Sequence, residues 1–549
     1  MANGSSSVEE KPGPAWARWL VPSVGDGIFV VLLGLLCFTK LSVRLLGDAG
    51  IGWHIRTGQL ILADHAIPRV DPFSSTMGGH AWFAWEWLYD LMAGWLDQAA
   101  GLNGVVLLAG LIIALTFSWT FLLLVRRGTN FMVALILLLL AASASMIHFL
   151  ARPHVVSWWF TVICFSLLER SEVEGSVGHS RLKGWRLFVG LPLLMVVWAS
   201  LHAGFLVGFV LLAIYWSAAV VEYRRLREDR WADALRKLRA GNRARYLMLV
   251  SLASALATLI NPYGWGLQVH IYRYLSNQFL MNHIDEFQSP NFHRVAQKCF
   301  AVLLMLSFVA MAARKSNPQS LRTSQILIVL FAFYSGLFAS RNLPVSSLLL
   351  VLVIGPRLSR AVLPFPNPAW RRRSPVSASE VTTAPFLVRM QAVEVSRCGH
   401  LWPVTAAFLT IWIAFHGGMV GSKPWMNAQF DARRFPAAAL DYMQKQHLPG
   451  PVLVPDNWGG YLIYRLYPKW KVAVDDRHDL YGENFLKGYL ALMHVEPNWS
   501  RFLKQTEVGC IVVPKDSPVA NILAESTSWQ IVYGDDVAEV YAKNSAPGR

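Results

Sequence analysis

The chain has 549 residues, of which 54% are hydrophobic and only 15% charged, and its mean hydropathy is +0.37. Soluble globular proteins carry about a quarter charged residues, so this composition excludes an ordinary soluble domain. The formal net charge of +16 would suggest a nucleic-acid partner in a soluble chain. Here the Lys and Arg residues lie in short connections between apolar runs, the pattern of loops kept in the cytoplasm, and nucleic acid is set aside as a partner.

Apolar runs fall at about 24–46, 103–125, 131–150, 155–169, 187–200, 204–221, 246–260, 298–313, 323–340, 344–356 and 401–420. An apolar stretch of about 20 residues crosses a bilayer core of about 30 Å as a helix, because a backbone in lipid must pair its own N–H and C=O groups. The expected fold is an all-α polytopic membrane bundle of about 11 transmembrane helices. The first run is long and no small-residue cleavage site follows it, so it reads as a membrane helix and not as a cleavable signal. The five cysteines show no CxxC and no metal-ligand spacing, so no disulfide framework is expected. Cys37 and Cys164 fall in apolar runs, as small core residues do.

Basic clusters occupy alternate connections: Arg126–Arg127, Arg170 to Arg186, Arg224 to Arg245, Arg314–Lys315 and the stretch from Arg357 to Arg397. With those loops in the cytoplasm, the N-terminal tail (1–23) is inside. The bundle (24–356) follows, then a basic cytoplasmic linker (357–400), a last membrane helix (401–420) and an extracytoplasmic region (421–549). The setting is then a bacterial cytoplasmic membrane. Residues 421–549 change character: PVLVP, KVAVD, CIVVP, WQIVYG and VAEVYA read as strands, with helix-compatible stretches at Glu483–Val495 and Ser517–Glu525 between them. This alternation predicts a small α/β domain.

Under that topology the polar residues gather on the external side. The first external loop (47–102) opens with Asp48 directly after the first helix. A segment Ile51–Ala63 with helical spacing follows, expected to lie along the membrane surface, and contains Trp53 and His54. Pro68 and Pro72 frame Asp71, and Trp82, Trp85 and Trp87 surround Glu86 as headgroup-layer anchors. Other external turns carry Arg152 and His154 (ARPH), His202 (SLHAG), Asn261 (INPYG), and Arg341 with Asn342 (SRNLP). A charge at a membrane boundary is costly unless it is paired or faces water. Taken singly, the arginines read equally as snorkelling side chains, His202 as a turn residue and Asp48 as a helix cap. Their recurrence at successive external helix ends argues for a site.

The string GD…W-H-x-x-x-G…P-x-x-D-P-F-S…W…E-W-L resembles a group of bacterial multipass proteins near the fold-C (GT-C) membrane glycosyltransferases. The strings W-x-x-x-H-x-G, N-P-Y-G, R-N-x-P and G-G-Y-L…D-x-R-x-D-L-Y-G resemble the same group. That superfamily contains oligosaccharyltransferases, protein mannosyltransferases and aminoarabinose transferases. The resemblance implies transfer of a sugar from a polyprenyl-phosphate carrier to a glycan, lipid or protein acceptor at the outer membrane face. It places the acidic first-loop role on Asp48, with Asp71 or Glu86 as further catalytic carboxylates. Many relatives carry paired acids at that point where this chain has Asp48-Ala49-Gly50, so a divalent metal is possible but not indicated there. The departing phosphate calls for cationic and N–H donors, for which Arg152, Arg341, His54 and His202 are candidates. Trp53, His154, Asn261, Asn342 and Arg477 complete the expected substrate-binding set. Two other readings stand beside the transferase: a non-catalytic envelope assembly protein, and a transporter or flippase. Against the latter, no internal repeat is visible and the charges lie at helix ends.

Overall fold

The computed structural model describes residues 20–177, 184–227, 231–312, 321–362, 394 and 399–544. Most of the basic linker and the N-terminal tail therefore lie outside the described residues.

Every apolar run falls on a helix, since lipid leaves the backbone no other partner than itself. The helices are Val24–Phe38 with Leu41–Leu45, then Trp87–Arg126, Phe131–Ser145, His154–Val177, Gly184–Leu201, Phe205–Arg225, Trp231–Ala257, Val295–Ala312, Thr323–Phe338, Leu343–Val362 and Leu401–Phe415. Among the described residues, five stretches are long and apolar enough to cross a membrane: Trp87–Arg126, Phe131–His148, Phe205–Arg225, Val295–Ala312 and Ser340–Ala361. Val24–Phe38, Trp185–Leu201, Thr323–Phe338 and Leu401–Phe415 are apolar but shorter. The chain is a multi-pass membrane protein. Ser23 starts the first helix with a capping box, its hydroxyl accepting from the Asp26 N–H while Asp26 accepts from the Ser23 N–H, which satisfies donors that the helix itself leaves open.

At the helix ends carrying the basic loops, ion pairs tie neighbouring helices together. Arg127 meets Glu169 at 2.7 Å and Arg243 meets Glu222 at 2.7 Å. Arg322 bridges Glu169 and Glu172. Tyr215 and Ser324 donate to the same two glutamates.

The C-terminal region holds a four-stranded mixed sheet, in the order Val452–Leu453, Cys510–Pro514, Ala538–Lys543, Trp529–Gly534. The first pair is parallel and the other two antiparallel. The expected helices appear as Glu483–Met493 and Pro518–Ala524. The expected strand KVAVD is reduced to single bridges of Val472, to Val452 on one side and to Ser74 of the first loop on the other. The loop supplies what a strand partner would: Ser75 N–H donates to the Val472 carbonyl at 2.8 Å, and the Thr76 hydroxyl to the Ala473 carbonyl at 2.6 Å.

This stitching overturns two expectations about the first loop. Helix Ile51–Asp64 does not lie on a membrane surface. Its residues from Ile51 to Ile55 are buried, and it is packed between helix Trp87–Arg126 and helix Asp456–Leu466. Glycines permit both approaches. A Cβ on Gly94 would come within 2.5 Å of the Gly58 and Gln59 backbone, and a Cβ on Gly52 would strike the Gly460 backbone. Trp82 is likewise no headgroup anchor. It is buried, in one apolar core with Trp53, Phe73, Phe435, Val452 and Trp458. First loop and C-terminal region thus share one packed core.

Candidate active site

Between the membrane bundle and this body lies a cavity of about 1110 Å³. It is lined by Asp48, Trp53, Glu86, Arg152, His154, His202, Arg341, Asn342 and Arg477 of the expected set. Asp71, His54 and Asn261 are not among its lining residues.

Asp48 sits where the chain turns from Leu41–Leu45 into helix Ile51–Asp64. One carboxylate oxygen accepts the Gly50 N–H at 2.7 Å, and the other accepts from Arg152 Nη1 at 2.9 Å. A turn-closing hydrogen bond and an ion pair are therefore both present in one side chain, while the N-cap position of the helix is Gly50 and carries no side-chain cap. Arg152 also lies 3.7 Å from Asp476, which in turn accepts the Trp53 indole N–H at 2.9 Å. Burial opposes the charge on Arg152, but Asp48 and then Asp476 keep it protonated. Burial pushes the Asp476 carboxyl up to about 7, against the pull of Arg152. Asp476 belongs to the acidic run of the DDRHDLYG string, which gives no hint in the sequence of a partner in a turn 324 positions earlier.

Arg341 lies in the turn between helices Thr323–Phe338 and Leu343–Val362. Its guanidinium stands 4.7 Å from the Phe287 ring centroid and makes no hydrogen bond or ion pair with the described residues. Glu286 is a further cavity residue outside the expected set. Burial would raise its carboxyl, yet Arg341 and then Arg152 hold it down at about 2. Its neighbours His148 and His154 are used locally: His148 Nε2 is 3.1 Å from the Ser340 carbonyl, and His154 Nε2 is 2.8 Å from the His148 carbonyl. On the C-terminal wall, His478 meets Asp456 at 2.7 Å. Burial works against the charge on His478, but Asp456 raises its affinity for a proton. Tyr489 donates to the same carboxylate at 3.0 Å.

The remaining candidates have other partners. Asp71 is 2% exposed and accepts from the Phe73 and Ser74 N–H groups and from Arg477 Nη1 at 2.8 Å. It is a turn cap and ion-pair partner, away from the cavity. Arg477 touches the cavity, but its guanidinium is fully engaged: Nε and Nη2 donate to the two oxygens of Asp475 at 2.8 and 2.7 Å. It also lies 4.7 Å from the Trp82 ring centroid. Arg477 thereby clasps the first loop to the C-terminal region. Asn261 closes its own turn, donating to the Thr258 carbonyl at 2.6 Å and accepting from the Tyr263 N–H at 2.7 Å. Asn342 donates to the Ser335 carbonyl at 3.1 Å. His54 is fully buried, its Nδ1 2.5 Å from Asp90.

Among the described residues no three His, Cys, Asp or Glu side chains converge to hold a metal ion. The carboxylates nearest Asp48 share Arg152 instead of facing one another. That donor set does not fit a divalent cation, and no step is routed through one.

No family model matches the chain, and no curated protein matches it in sequence. Among solved structures it is similar to the archaeal oligosaccharyltransferase AglB from Archaeoglobus fulgidus, in complex with an inhibitory peptide and a dolichol-phosphate. The identity is 11% and the TM-score 0.48, over 89% of this chain and 69% of that one. It is also similar to ArnT from Cupriavidus metallidurans bound to undecaprenyl phosphate, at 15% identity and a TM-score of 0.49, over 94% of this chain and 97% of that one.

Proposed function

We propose that this chain is a membrane glycosyltransferase that moves a sugar from a polyprenyl-phosphate carrier to an acceptor hydroxyl in the cavity. The observation that supports this best is the company around Asp48. A carboxylate and two arginines open on one cavity, and the same cavity is walled by apolar membrane-helix residues, among them Leu206, Val207, Phe338 and Val345. A lipid-linked donor needs such a mixture: an apolar wall for the chain, cations for the phosphate and a base for the acceptor.

In the transfer, the acceptor oxygen forms its bond to the sugar C1 and gives its proton to the Asp48 carboxylate. The bond from C1 to the carrier oxygen breaks, and its electron pair stays on the phosphate. General-base help of this kind contributes about 10²–10⁴-fold. Arg152 belongs to both halves. As Asp48 takes the proton it ceases to neutralise Arg152, which Asp476 at 3.7 Å then shares with the phosphate that forms. Arg341, whose charge is felt by Glu286 in the resting cavity, is the second cation offered to the phosphate.

Two experiments bear on this reading. Arg341→Lys is expected to lose most carrier binding although it keeps the charge, because a guanidinium offers a planar fork of donors to phosphate oxygens and an ammonium does not. Binding of undecaprenyl phosphate to the purified full chain measures this, and unchanged affinity in Arg341→Lys and in Arg341→Ala would remove Arg341 from the site. The second test concerns orientation. The basic loops place the C-terminal region outside, so a reporter active only in the cytoplasm should be silent when fused after residue 430 and active when fused near residue 375. The opposite pattern would put the cavity on the wrong side for a polyprenyl-linked donor at the outer face.

A further inference from the structure

The C-terminal wall of the cavity carries a hydrogen-bonded unit that has no part in the chemistry assigned to Asp48 and the arginines. Asp456 begins helix Asp456–Leu466 and lines the cavity together with Asn457, His478 and Tyr489. Its Oδ1 accepts from the Asn457 N–H at 2.8 Å and from the Tyr489 hydroxyl at 3.0 Å. Its Oδ2 faces His478 Nε2 at 2.7 Å. The Tyr489 oxygen in turn accepts the Asp456 N–H at 2.7 Å, so the one proton of that hydroxyl is directed to the carboxylate.

These contacts fix where the protons are. Oδ1 already receives two donors and carries no proton of its own. Burial would raise the Asp456 carboxyl, yet the hydrogen bonds from His478, Tyr489 and the Asn457 N–H hold it below the ordinary carboxylate range. Asp456 is therefore a carboxylate, and His478 bears a proton on Nε2 and donates it there. The other ring nitrogen, Nδ1, makes no hydrogen bond among the described residues, and neither does the side-chain amide of Asn457. Both residues line the cavity, so these two groups are left for a ligand.

Their chemistry selects the ligand. Nδ1 is a lone pair when the ring is neutral and an N–H when it is protonated. A hydroxyl donates to the first and accepts from the second, whereas a phosphate or carbonyl oxygen meets only the second and an amide N–H only the first. The Asn457 amide likewise offers a donor and an acceptor side by side. Asp476 and Asp479 line the cavity with Arg434, so this wall has no surplus of positive charge for a phosphate. Asn457 and His478 stand at the starts of helices Asp456–Leu466 and His478–Tyr481, where no strand edge is offered to an extended peptide. Asp479 meets His270 Nε2 at 3.1 Å, which brings helix Gly266–Ser276 to the same corner. Tyr274 of that helix lines the cavity, and its ring can pack against the C–H face of a sugar.

We propose that the acceptor is a glycan, and that His478 Nδ1 and the Asn457 amide each hold one of its hydroxyls, with Asp456 and Tyr489 as positioning residues. This assignment rests on the transferase reading and names its acceptor class. The attacking hydroxyl goes to Asp48, and the two hydroxyls held here do not react, so no bond forms or breaks at this wall. A serine or threonine side chain has a single hydroxyl and cannot fill both places.

The test uses the purified full chain with isotope-labelled histidine, read by nitrogen NMR, and three probes: methyl pyranosides of common hexoses and pentoses, N-acetylserinamide and inorganic phosphate. The His478 signals are those missing from His478→Gln. A pyranoside should shift the Nδ1 resonance in a saturable way, and the serine amide and phosphate should not. Pyranoside affinity, measured by saturation-transfer NMR, should fall about tenfold in His478→Phe and much less in His478→Gln, whose amide still offers a donor and an acceptor. In Asp456→Asn the Nδ1 resonance should move even without a ligand, because the ring has lost the carboxylate that fixes its tautomer. Undecaprenyl phosphate binding by each variant reports whether the rest of the cavity is intact. Undecaprenyl phosphate binding with no response to any pyranoside, or a response to phosphate or the serine amide alone, overturns the glycan assignment and leaves the carrier reading standing. Equal losses in His478→Gln and His478→Phe, accompanied by loss of undecaprenyl phosphate binding, would make His478 structural. An unmoved resonance in Asp456→Asn removes the positioning role. Pyranoside binding by a wild-type chain that binds no undecaprenyl phosphate overturns the carrier reading and leaves the saccharide contacts in place.

Discussion

Asp48→Asn should lower the rate of sugar transfer by about 10²–10⁴-fold, the usual contribution of a positioned general base. The amide is nearly the same size as the carboxylate, and its oxygen can still accept the Gly50 N–H that Asp48 accepts at 2.7 Å. The turn leading into helix Ile51–Asp64 should therefore survive, and with it expression and folding. The other oxygen is the one that matters. It accepts from Arg152 at 2.9 Å, and an NH₂ in that place offers Arg152 nothing and takes no proton from an acceptor. Two explanations for a slow variant can be separated by measuring carrier binding. If Asp48 is the base, undecaprenyl phosphate affinity stays near the wild-type value or rises, because Arg152 has lost a competitor. If Asp48 only holds Arg152 in place, affinity falls together with rate. Transfer at the wild-type rate by the Asn variant would return Asp48 to the role of a turn residue and leave Glu86 as the remaining acid of the first loop in the cavity.

The second large effect is on stability. Arg477→Ala should destabilise the assembly of first loop and C-terminal region by about 3–5 kcal/mol, the cost of stranding a buried partner without its counter-charge. Here two are stranded: Asp71 at 2% exposure and Asp475 at 0%. Arg477 joins them with three donors in one plane, and a lysine, with one point of charge, cannot reach both carboxylates in that geometry. Arg477→Lys is therefore expected to recover only part of the loss. Thermal unfolding of the detergent-solubilised chain measures the effect. Limited proteolysis between residues 69 and 82 locates it, since that segment is held to Val472 and Ala473 by hydrogen bonds from Ser75 and Thr76. A variant that unfolds at the wild-type temperature and resists the protease would show that the clasp adds nothing. Weaker acceptor use with normal stability would restore Arg477 to substrate binding.

The amino-acid sequence by itself determined the helices. Hydropathy is a local property, and in lipid a backbone has no hydrogen-bond partner except within its own segment, so each apolar run had one structural outcome. It also determined the strand and helix alternation of the C-terminal region, the KVAVD strand excepted, and it named several of the cavity's charged residues: Asp48, Glu86, Arg152, His154, His202 and Arg341 all line it. The polar residues at successive helix ends on one side of a bundle are carried to a common level by the helices, whatever their order. What only the tertiary structure decided is which of those charges remain available. Asp71 and Asp48 are both first-loop carboxylates beside turn residues, yet Asp71 is taken by Arg477 across 406 positions and Asp48 faces the cavity. Trp82 looked like an interfacial anchor and is core, because Val472 offers an unfilled strand edge that the loop's residues 73–76 fill. Pairing and burial of this kind are long-range, and a charge's environment, not its residue type, sets whether it binds, catalyses or holds the fold together.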